Sequence, residues 1–164
     1  MIIFLIGMMG TGKSTVGEIL SVKLGLPFVD IDEEIIKIEG MEINKIFKLK
    51  GEDYFRLLET KILKKTKNSV CSCGGGTVLN NENLEYIKNN GKSVFLKTKI
   101  QELSKRIKNS KTRPLLQGDN KRKQLKKIWK ERKSKYLSFA NITVQTDDKN
   151  PKQIAEEIKA KLYL

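Results

Sequence analysis

The chain has 164 residues, a hydrophobic fraction of 38% and a formal net charge of +14. This length suits one domain with a single core, and the apolar runs are too short to span a membrane. Two cysteines, Cys71 and Cys73, are too few and too close together for a disulfide framework or a complete zinc site. We therefore expect a soluble, cytoplasmic protein with buried, reduced thiols.

The positive charge favours anionic partners. Its densest run, residues 121–135, combines helical spacing with few aromatic side chains that would stack on bases. We interpret this run as a solvated lysine face and expect neither a nucleic acid nor a membrane as partner. A nucleic-acid-binding ATPase stays as an alternative. The charge also suits an enzyme whose small-molecule ligands are all anions.

The first predicted elements are a strand, Ile2–Ile6, and a glycine-rich turn that opens a helix. Residues Gly7–Thr15 satisfy the pattern G-x-x-x-x-G-K-[ST], whose glycines let backbone N–H groups surround a di- or triphosphate. We expect Lys13 to reach the β- and γ-phosphates and the Ser14 hydroxyl to occupy one position on Mg²⁺. The nucleotide-binding residues predicted here are Gly10, Thr11, Gly12, Lys13, Ser14 and Thr15.

The elements that follow alternate between helix and strand. In the first half of the chain, the patterns predict a helix capped by Gly25, a strand over 26–29, a helix over 33–38 that stops at Gly40, a helical region from 42 to about 65 that breaks near Gly51, and a strand over 69–73. A helix capped by Asn80 or Asn81, a strand over 93–96 and a helix opened by a capping box from Thr98 to Gln101 follow. The last predicted elements are an exposed mobile loop over 109–120, a basic helix to about Tyr136, a strand over 142–144, and a helix started by Asn150 and Pro151.

Strands separated by helices predict an α/β fold, with five parallel strands and helices on both faces of the sheet. Three unusual segments, residues 7–14, 30–32 and 74–76, each come directly after a predicted strand. Ligands of such sheets bind beyond the carboxyl ends of the strands. We therefore expect these three segments to line one cleft.

Two aspartates follow the second strand. The sequence has no guanine-specific NKxD motif, and no aspartate ends the strand over 69–73. Asp30 is therefore the candidate to hold a Mg²⁺-bound water. Asp32 is the candidate to accept a hydrogen bond from a hydroxyl that attacks the γ-phosphate, the alternative being a helix N-cap before Glu33.

Arginine is rare against the lysine background, which suggests that a planar, bidentate group is needed at the few places where it occurs. Arg56 has Glu59 one helical turn away as a possible orienting partner. Arg113 precedes Pro114 in the predicted loop, where closure would bring it onto a transferring phosphate. Each arginine alone is equally consistent with an exposed surface position, but together they indicate an anionic acceptor. The five arginines are Arg56, Arg106, Arg113, Arg122 and Arg132.

This ordered set of motifs resembles the shikimate kinase family over essentially the whole chain. The resemblance implies transfer of the γ-phosphoryl group of ATP to the 3-hydroxyl of shikimate, with one Mg²⁺ per subunit, in the pathway to chorismate and aromatic amino acids. The matching motifs are Gly7–Thr15, Asp30-x-Asp32, Gly51-Glu52 with Phe55-Arg56 and Glu59, Gly74–Gly76, Arg106, Arg113–Leu116, Arg132-x-x-x-Tyr136 and Thr146–Pro151.

The resemblance also implies roles for single residues. Asp32, Arg56, Gly75 and Arg132 would hold shikimate, with the two arginines on its carboxylate and Asp32 at the 3-hydroxyl. Lys13, Asp32 and Arg113 would be the catalytic residues, and Arg106 and Lys149 would flank adenine. The implied fold is that of nucleoside monophosphate kinases, a single domain and a monomer, with strand order 2-3-1-4-5, an acceptor-binding subdomain over about 32–60 and a lid over about 109–120.

Two features depart from the family pattern. The lead into the glycines, Cys71-Ser72-Cys73, is less aliphatic than expected, and Lys149 stands where the adenine loop varies. We interpret Cys73 as a packing residue, with sensitivity to oxidation as the alternative. Another small-molecule or nucleotide kinase of the same fold is the nearest competing hypothesis, and the identity of the acceptor separates the two.

Overall fold

The computed structural model describes residues 1–107 and 120–163. They form a five-stranded parallel sheet of order β2-β3-β1-β4-β5 with helices on both faces, which confirms the predicted fold class and strand order. The elements are β1 Ile2–Ile6, α1 Lys13–Leu24, β2 Phe28–Asp30, α2 Ile31–Glu39, α3 Ile43–Lys50, α4 Glu52–Lys65, β3 Val70–Ser72, α5 Asn81–Asn90, β4 Gly91–Lys97, α6 Ile100–Arg106, α7 Lys121–Phe139, β5 Ile142–Gln145 and α8 Pro151–Leu162, with a 3₁₀ turn over Thr77–Leu79.

Strand β1 is the centre of the sheet, and all five of its residues are buried. Successive side chains point to opposite faces, so Ile3 and Leu5 pack with α1 and α8, whereas Phe4 packs on the face that holds α4, α5 and α7. A strand buried on both faces needs a continuous apolar run, which explains why Ile2–Ile6 carries no polar residue. The glycine-rich turn therefore starts from the fully buried central strand of the sheet.

Helix α2 begins earlier than the sequence predicts. Asp30 is its N-cap, because Asp30 Oδ1 accepts hydrogen bonds from the backbone N–H groups of Asp32 (3.0 Å) and Glu33 (3.3 Å). The alternative interpretation of Asp32 as the N-cap is therefore wrong. Asp32 lies inside the first turn of α2, where its carboxylate faces the cleft instead of the helix end.

The capping box predicted at the start of α6 is also wrong. The N-cap is Lys99, whose side chain makes no capping bond, and its N–H is bound by Asp147 Oδ1 at 3.1 Å. Thr98 uses its hydroxyl for a buried hydrogen bond with the Thr146 hydroxyl. Two residues that follow β5, Thr146 and Asp147, therefore take the place of the predicted local cap.

Four other helix ends follow their sequence signals. Gly25 and Gly40 end α1 and α2 in the left-handed conformation, with φ of 66° and 63°. Asn80 caps α5, and Asn150 with Gln153 forms a complete capping box before Pro151. In the described ranges, no helix combines the length and the apolar character that crossing a membrane requires.

Candidate active site

The turn after β1 has the backbone of a phosphate cradle. Gly7, Gly10 and Gly12 all have positive φ, at 148°, 80° and 89°. Gly12 has open space around its Cα, so its conformation alone requires glycine, whereas a Cβ on Gly10 would also lie 2.7 Å from Ile107 Cγ2. The turn runs directly into α1, whose N-terminal N–H groups favour an anion.

Lys13 is the first residue of α1 and only 9% exposed. Its Nζ donates to the carbonyl oxygens of Gly7 (3.0 Å) and Met8 (2.9 Å), so the ammonium lies over the turn that would surround the phosphates. The neighbouring Ser14 hydroxyl donates to Asp30 Oδ2 at 2.5 Å. Asp30 thus links the start of α1 to the start of α2, because its other oxygen caps α2.

Two adjoining cavities of about 370 Å³ and 320 Å³ open beyond the carboxyl ends of the strands. The three segments that the sequence predicts to meet do line them together, which confirms the predicted cleft. The residues shared by both cavities are Ser14, Asp30, Asp32, Gly74 and Gly75. The larger, acceptor cavity adds Met9, Glu33, Ile36, Glu42, Ile43, Phe47, Phe55, Arg56, Glu59, Gly76 and Arg132, and the smaller, nucleotide cavity adds Gly10, Gly12, Lys13, Thr15, Ser72, Cys73, Arg106 and Ile107.

The glycine turn after β3 is a surface against which side chains of the acceptor cavity pack. A Cβ on Gly74 would lie 2.4 Å from Glu59 Oε1, and one on Gly76 would lie 2.4 Å from Arg56 Nη2. The carbonyl of Gly75 accepts a hydrogen bond from the Tyr136 hydroxyl. The close backbone approach expected from three consecutive glycines is confirmed, and the groups that approach are a carboxylate and a guanidinium.

Arg56 is held by two acids of its own helix. Its Nη1 donates to Glu59 Oε2 at 2.9 Å, while Nη2 and Nε donate to Glu52 Oε1 at 3.1 and 3.3 Å. Burial works to lower the pKa of Arg56, but the charges of Glu59 and Glu52 and their hydrogen bonds outweigh it and raise that pKa above its ordinary value. Glu59 itself is fully buried, which confirms the orienting pair that the helical spacing suggested.

Arg132 projects from α7 into the same cavity and is only 3% exposed. In the part of the chain that the structure describes, its buried Nε and Nη1 have no hydrogen-bond partner. Nη1 lies 3.4 Å from the Cβ position of Gly75. Buried charged groups are almost always paired, so two unsatisfied nitrogens on a guanidinium that lines a cavity are unusual.

The sequence predicts no role for the Tyr136 hydroxyl, although Arg132-x-x-x-Tyr136 is one of the matching motifs. Tyr136 is fully buried and its ring stacks on Phe95 and Trp129. Burial raises the pKa of Tyr136 to about 12, so the hydroxyl stays protonated and donates to Gly75. The one-turn spacing of Arg132 and Tyr136 on α7 was the available signal, since it puts both side chains on the face toward the glycine turn.

The remaining predicted nucleotide-binding residues differ in where they lie relative to the nucleotide cavity. Arg106 lines the nucleotide cavity, where its Nη1 is 3.5 Å from the Thr11 carbonyl oxygen and its Nε donates to Glu102. Lys149 is paired with Glu157 at 2.6 Å and is not among the described residues that line either cavity. Arg113, with the predicted lid as far as residue 119, lies outside the described residues.

Cys73 lines the nucleotide cavity but is almost completely buried. A hydrogen bond with Cys71 and burial raise the pKa of the Cys73 thiol well above its ordinary value. A protonated, enclosed thiol is a poor nucleophile, so the geometry favours the packing interpretation of this residue.

A parallel sheet of this order, a P-loop after its central strand and an adjoining cavity with two arginines define a P-loop kinase for an anionic acceptor. A solved deoxyadenosine kinase of M. mycoides, 22% identical with a TM-score of 0.63, covering 100% of this chain and 100% of its own, shares the fold. The family model for shikimate kinase matches residues 9–163. The chain belongs to the shikimate kinase family.

Individual relatives agree over the full length. A shikimate kinase of Persephonella marina is 44% identical over 163 residues, which cover 98% of this chain and 98% of the relative. The crystal structure of shikimate kinase from Aquifex aeolicus is 42% identical, covers 99% of this chain and 96% of its own, and has a TM-score of 0.86. Shikimate kinase from Acinetobacter baumannii in complex with shikimate is 35% identical, covers 99% and 92%, and has a TM-score of 0.95.

Proposed function

We propose that this chain transfers the γ-phosphoryl group of ATP to the 3-hydroxyl of shikimate, giving shikimate 3-phosphate and ADP in the pathway to chorismate and aromatic amino acids. Arg132 carries the proposal. It is a buried guanidinium with two nitrogens unpaired among the described residues, and it faces a cavity that adjoins a P-loop. Family membership, shown by the matching model and the relatives, supports the same acceptor.

The acceptor cavity supplies the groups that shikimate needs. Arg132 and Arg56 bind its carboxylate, and the backbone at Gly75 contacts the ring, while an apolar wall that includes Phe47 and Phe55 covers the carbon skeleton. Asp32 lines both cavities, so it accepts a hydrogen bond from the hydroxyl at the point where the acceptor meets the nucleotide.

The nucleotide cavity binds ATP through its phosphates. The N–H groups of the turn and of the start of α1 surround them, and Lys13 donates to the β- and γ-phosphates in place of its contacts with Gly7 and Met8. Arg106 lies at the edge of this cavity, where it flanks adenine. Lys149, beside adenine, and Arg113, on the transferring phosphate, stay predictions from the family resemblance. Backbone and side-chain contacts to the nucleotide come from Gly10, Thr11, Gly12, Lys13, Ser14 and Thr15.

Ser14 and Asp30 fit a single Mg²⁺ per subunit. Mg²⁺ keeps most of its ligands as water and phosphate oxygens, so it needs few protein atoms. Among the described residues no group of three or more acidic, cysteine or histidine side chains would hold a metal, whereas the Ser14 hydroxyl and Asp30 carboxylate lie 2.5 Å apart beside the P-loop. Ser14 would bind the ion directly and Asp30 through water, and the ion would neutralise charge on the phosphates.

The transfer then requires alignment more than covalent help from the protein. The acceptor oxygen forms a bond to the γ-phosphorus while the bond from that phosphorus to the leaving ADP oxygen breaks. The hydroxyl proton leaves toward Asp32, which orients the oxygen. The apolar wall excludes water that would otherwise compete as acceptor.

The decisive experiment is an ADP-release assay with ATP and a panel of acceptors: shikimate, its methyl ester, gluconate and nucleoside monophosphates. The methyl ester is the matched control, since it keeps every hydroxyl but removes the anion that Arg132 and Arg56 bind. We expect turnover with shikimate and a loss in kcat/KM of about 10²-fold or more with the ester, as for a site whose buried polar groups lose their partner. Faster turnover with any other acceptor would overturn the proposal.

We further propose that the enzyme works as a monomer in the cytoplasm. Residues of a single chain line both cavities, and both cysteines are free, as is usual in a reducing compartment. We also propose a single domain in which residues of about 32–60 form the acceptor-binding subdomain. In support, α2, α3 and α4 pack against one another and supply much of the acceptor cavity wall.

A further inference from the structure

Thr77 comes directly after the glycine turn and is completely buried. Its hydroxyl donates to Glu59 Oε1 at 2.7 Å, whereas the other oxygen of Glu59, Oε2, accepts from Arg56 Nη1 at 2.9 Å. Glu59 is also fully buried, and among the described residues these two donors hold its charged oxygens in place. A chain of contacts therefore runs from Thr77 through Glu59 to Arg56.

Two hydrogen bonds of its own backbone hold Thr77 in place. The Thr77 N–H donates to the Gly74 carbonyl at 3.1 Å, and the Thr77 carbonyl accepts from Asn83 Nδ2 at 3.2 Å. Both partners belong to the wall of the acceptor cavity or to the helix directly behind it, α5. The hydroxyl thus presents a fixed donor to one oxygen of Glu59.

This arrangement decides how many N–H groups Arg56 has left. A guanidinium has five N–H donors. Three are used in contacts with Glu52 and Glu59, which leaves one on each terminal nitrogen for an incoming carboxylate. If Glu59 Oε1 lost its partner, the buried carboxylate would gain most by turning to bind Arg56 with both oxygens. That rearrangement would take away one of the two remaining donors.

We infer that Thr77 is a positioning residue for the acceptor: its hydroxyl holds Glu59 to a single contact with Arg56 and so keeps the fork of Arg56 available to the acceptor carboxylate. The inference rests on the proposed function. Thr77 touches neither substrate, so its effect belongs to acceptor binding rather than to the nucleotide or to the chemical step.

The test compares steady-state kinetics of Thr77→Val, which keeps the shape and removes the hydroxyl, with the wild-type enzyme. We expect the KM for shikimate to rise about tenfold, as for a lost hydrogen bond to a charged group, while kcat and the KM for ATP change by less than about twofold. Thr77→Ser restores the hydroxyl and should restore the KM. Thr60→Val is the matched control, because Thr60 is a buried threonine of the same helix as Glu59 whose hydroxyl is bonded away from the site, to Asn80 at 3.3 Å.

An unchanged shikimate KM in Thr77→Val, an equal rise for both substrates, or a failure of Thr77→Ser to restore the KM would overturn the inference. If Thr77→Val folds poorly, Thr77→Ser and Thr77→Ala form a second pair that differs only in the hydroxyl. The proposed function is judged separately by wild-type turnover. If the wild-type enzyme prefers another carboxylate-bearing acceptor, the same KM ratio measured with that acceptor still decides the role of Thr77.

Discussion

At the scale of single residues, the two arginines of the acceptor cavity differ in how their charge is balanced. Arg56 is paired with Glu52 and Glu59, whereas Nε and Nη1 of the almost fully buried Arg132 find no hydrogen-bond partner in the described ranges. A buried cation with unsatisfied donors costs stability, and a ligand that supplied the missing partners would offset that cost. The two positions should therefore respond in opposite directions to loss of the charge.

Arg132→Met should raise the melting temperature of the ligand-free protein by roughly 2–4 °C, about 1 kcal/mol at this chain length, because a buried charge with two unsatisfied nitrogens is replaced by an apolar chain of similar length. Arg56→Met should lower it by roughly 5–10 °C, because Glu59 is left buried without its counter-charge. Calorimetry without ligands measures both. The exposed Arg122 of α7 supplies the control, since Arg122→Met should leave the transition in place. Shifts of the same sign at positions 56 and 132 would contradict this account of the site.

Asp32 is, with Asp30, one of two carboxylates that line both cavities. Asp32→Asn keeps a hydrogen-bonding side chain but removes the charge that orients the hydroxyl, so turnover should fall by roughly 10²-fold with little change in fold. Glu33→Gln is the matched control, because Glu33 lines only the acceptor cavity and its side chain is exposed. Single-turnover measurements at saturating substrates check the effect. Equal rates for wild type and Asp32→Asn would remove the carboxylate from the mechanism.

At the scale of elements, a clasp of three side chains ties helices α2, α3 and α4 together. Glu39, at the end of α2, accepts from Lys50 at the end of α3 (2.5 Å) and from the Tyr54 hydroxyl of α4 (2.7 Å). The Glu39 side chain is only 6% exposed, and Lys50 Nζ lies 4.7 Å from the centre of the Tyr54 ring. The clasp spans Gly51, where α3 meets α4 with φ at 85°.

The hydrogen bonds from Lys50 and Tyr54 lower the pKa of Glu39 below its ordinary value of 4.5. A carboxylate with a depressed pKa stabilises the fold above the ordinary value, and this stabilisation is lost as the pH falls through the lowered pKa. Glu39→Gln should therefore melt below the wild type near neutral pH, and the difference should close as the pH falls below 4.5. Thermal unfolding across pH measures it. Glu34→Gln, which removes the more exposed pair with Lys37 on the same helix, is the control and should melt close to the wild type at neutral pH.

Element ends show where local signals succeed. Gly25, Gly40 and Asn150 act as the sequence predicts, because a positive φ or a side-chain cap needs only neighbouring residues. Thr98 fails as a cap because Thr146, which is 48 residues away, offers its hydroxyl a buried partner. Competition between a local and a distant hydrogen bond is decided by burial, which the local sequence does not contain.

At the scale of the whole molecule, α7 is the most basic element of a chain with a net charge of +14, since it carries nine of the 33 lysines and arginines and a single acid, Glu131. Its exposed lysines include Lys126, Lys127 and Lys130, which take no part in any ion pair found among the described residues. Such a field raises the local concentration of anions such as ATP and shikimate. Salt screens this electrostatic field and shortens its range.

The kcat/KM for ATP should therefore fall several-fold when the ionic strength rises from about 0.05 to about 0.5 M, while kcat changes little. A Lys126→Gln, Lys130→Gln double variant should show a weaker dependence on salt, because it lacks two of the charges. Salt titrations of both proteins check this. ATP hydrolysis stimulated by a polynucleotide and not by shikimate would instead favour the nucleic-acid-binding alternative.

The sequence by itself determined the phosphate cradle, the α/β class and the segments that meet in the cleft. Residues 7–15 carry their own conformation and chemistry, and Asp30, Asp32 and the glycines at 74–76 follow strand ends that a parallel sheet brings together. Motifs of this kind depend only on neighbouring residues, so they can be predicted from the sequence alone. The family resemblance added the strand order and the identity of the acceptor, and both agree with the topology and the comparisons.

Only the tertiary structure decided how the acceptor residues are held. Tyr136 bonds to Gly75 across 61 residues, Thr77 bonds to Glu59 across 18, and Arg132 is left with buried nitrogens that lack a partner among the described residues. Each of these facts depends on which groups are buried together, and burial arises from the packing of α4 and α7 against the glycine turn. A hydrogen bond stabilises a protein most where water is excluded. The partners of these side chains therefore cannot be predicted before it is known which groups the fold buries together.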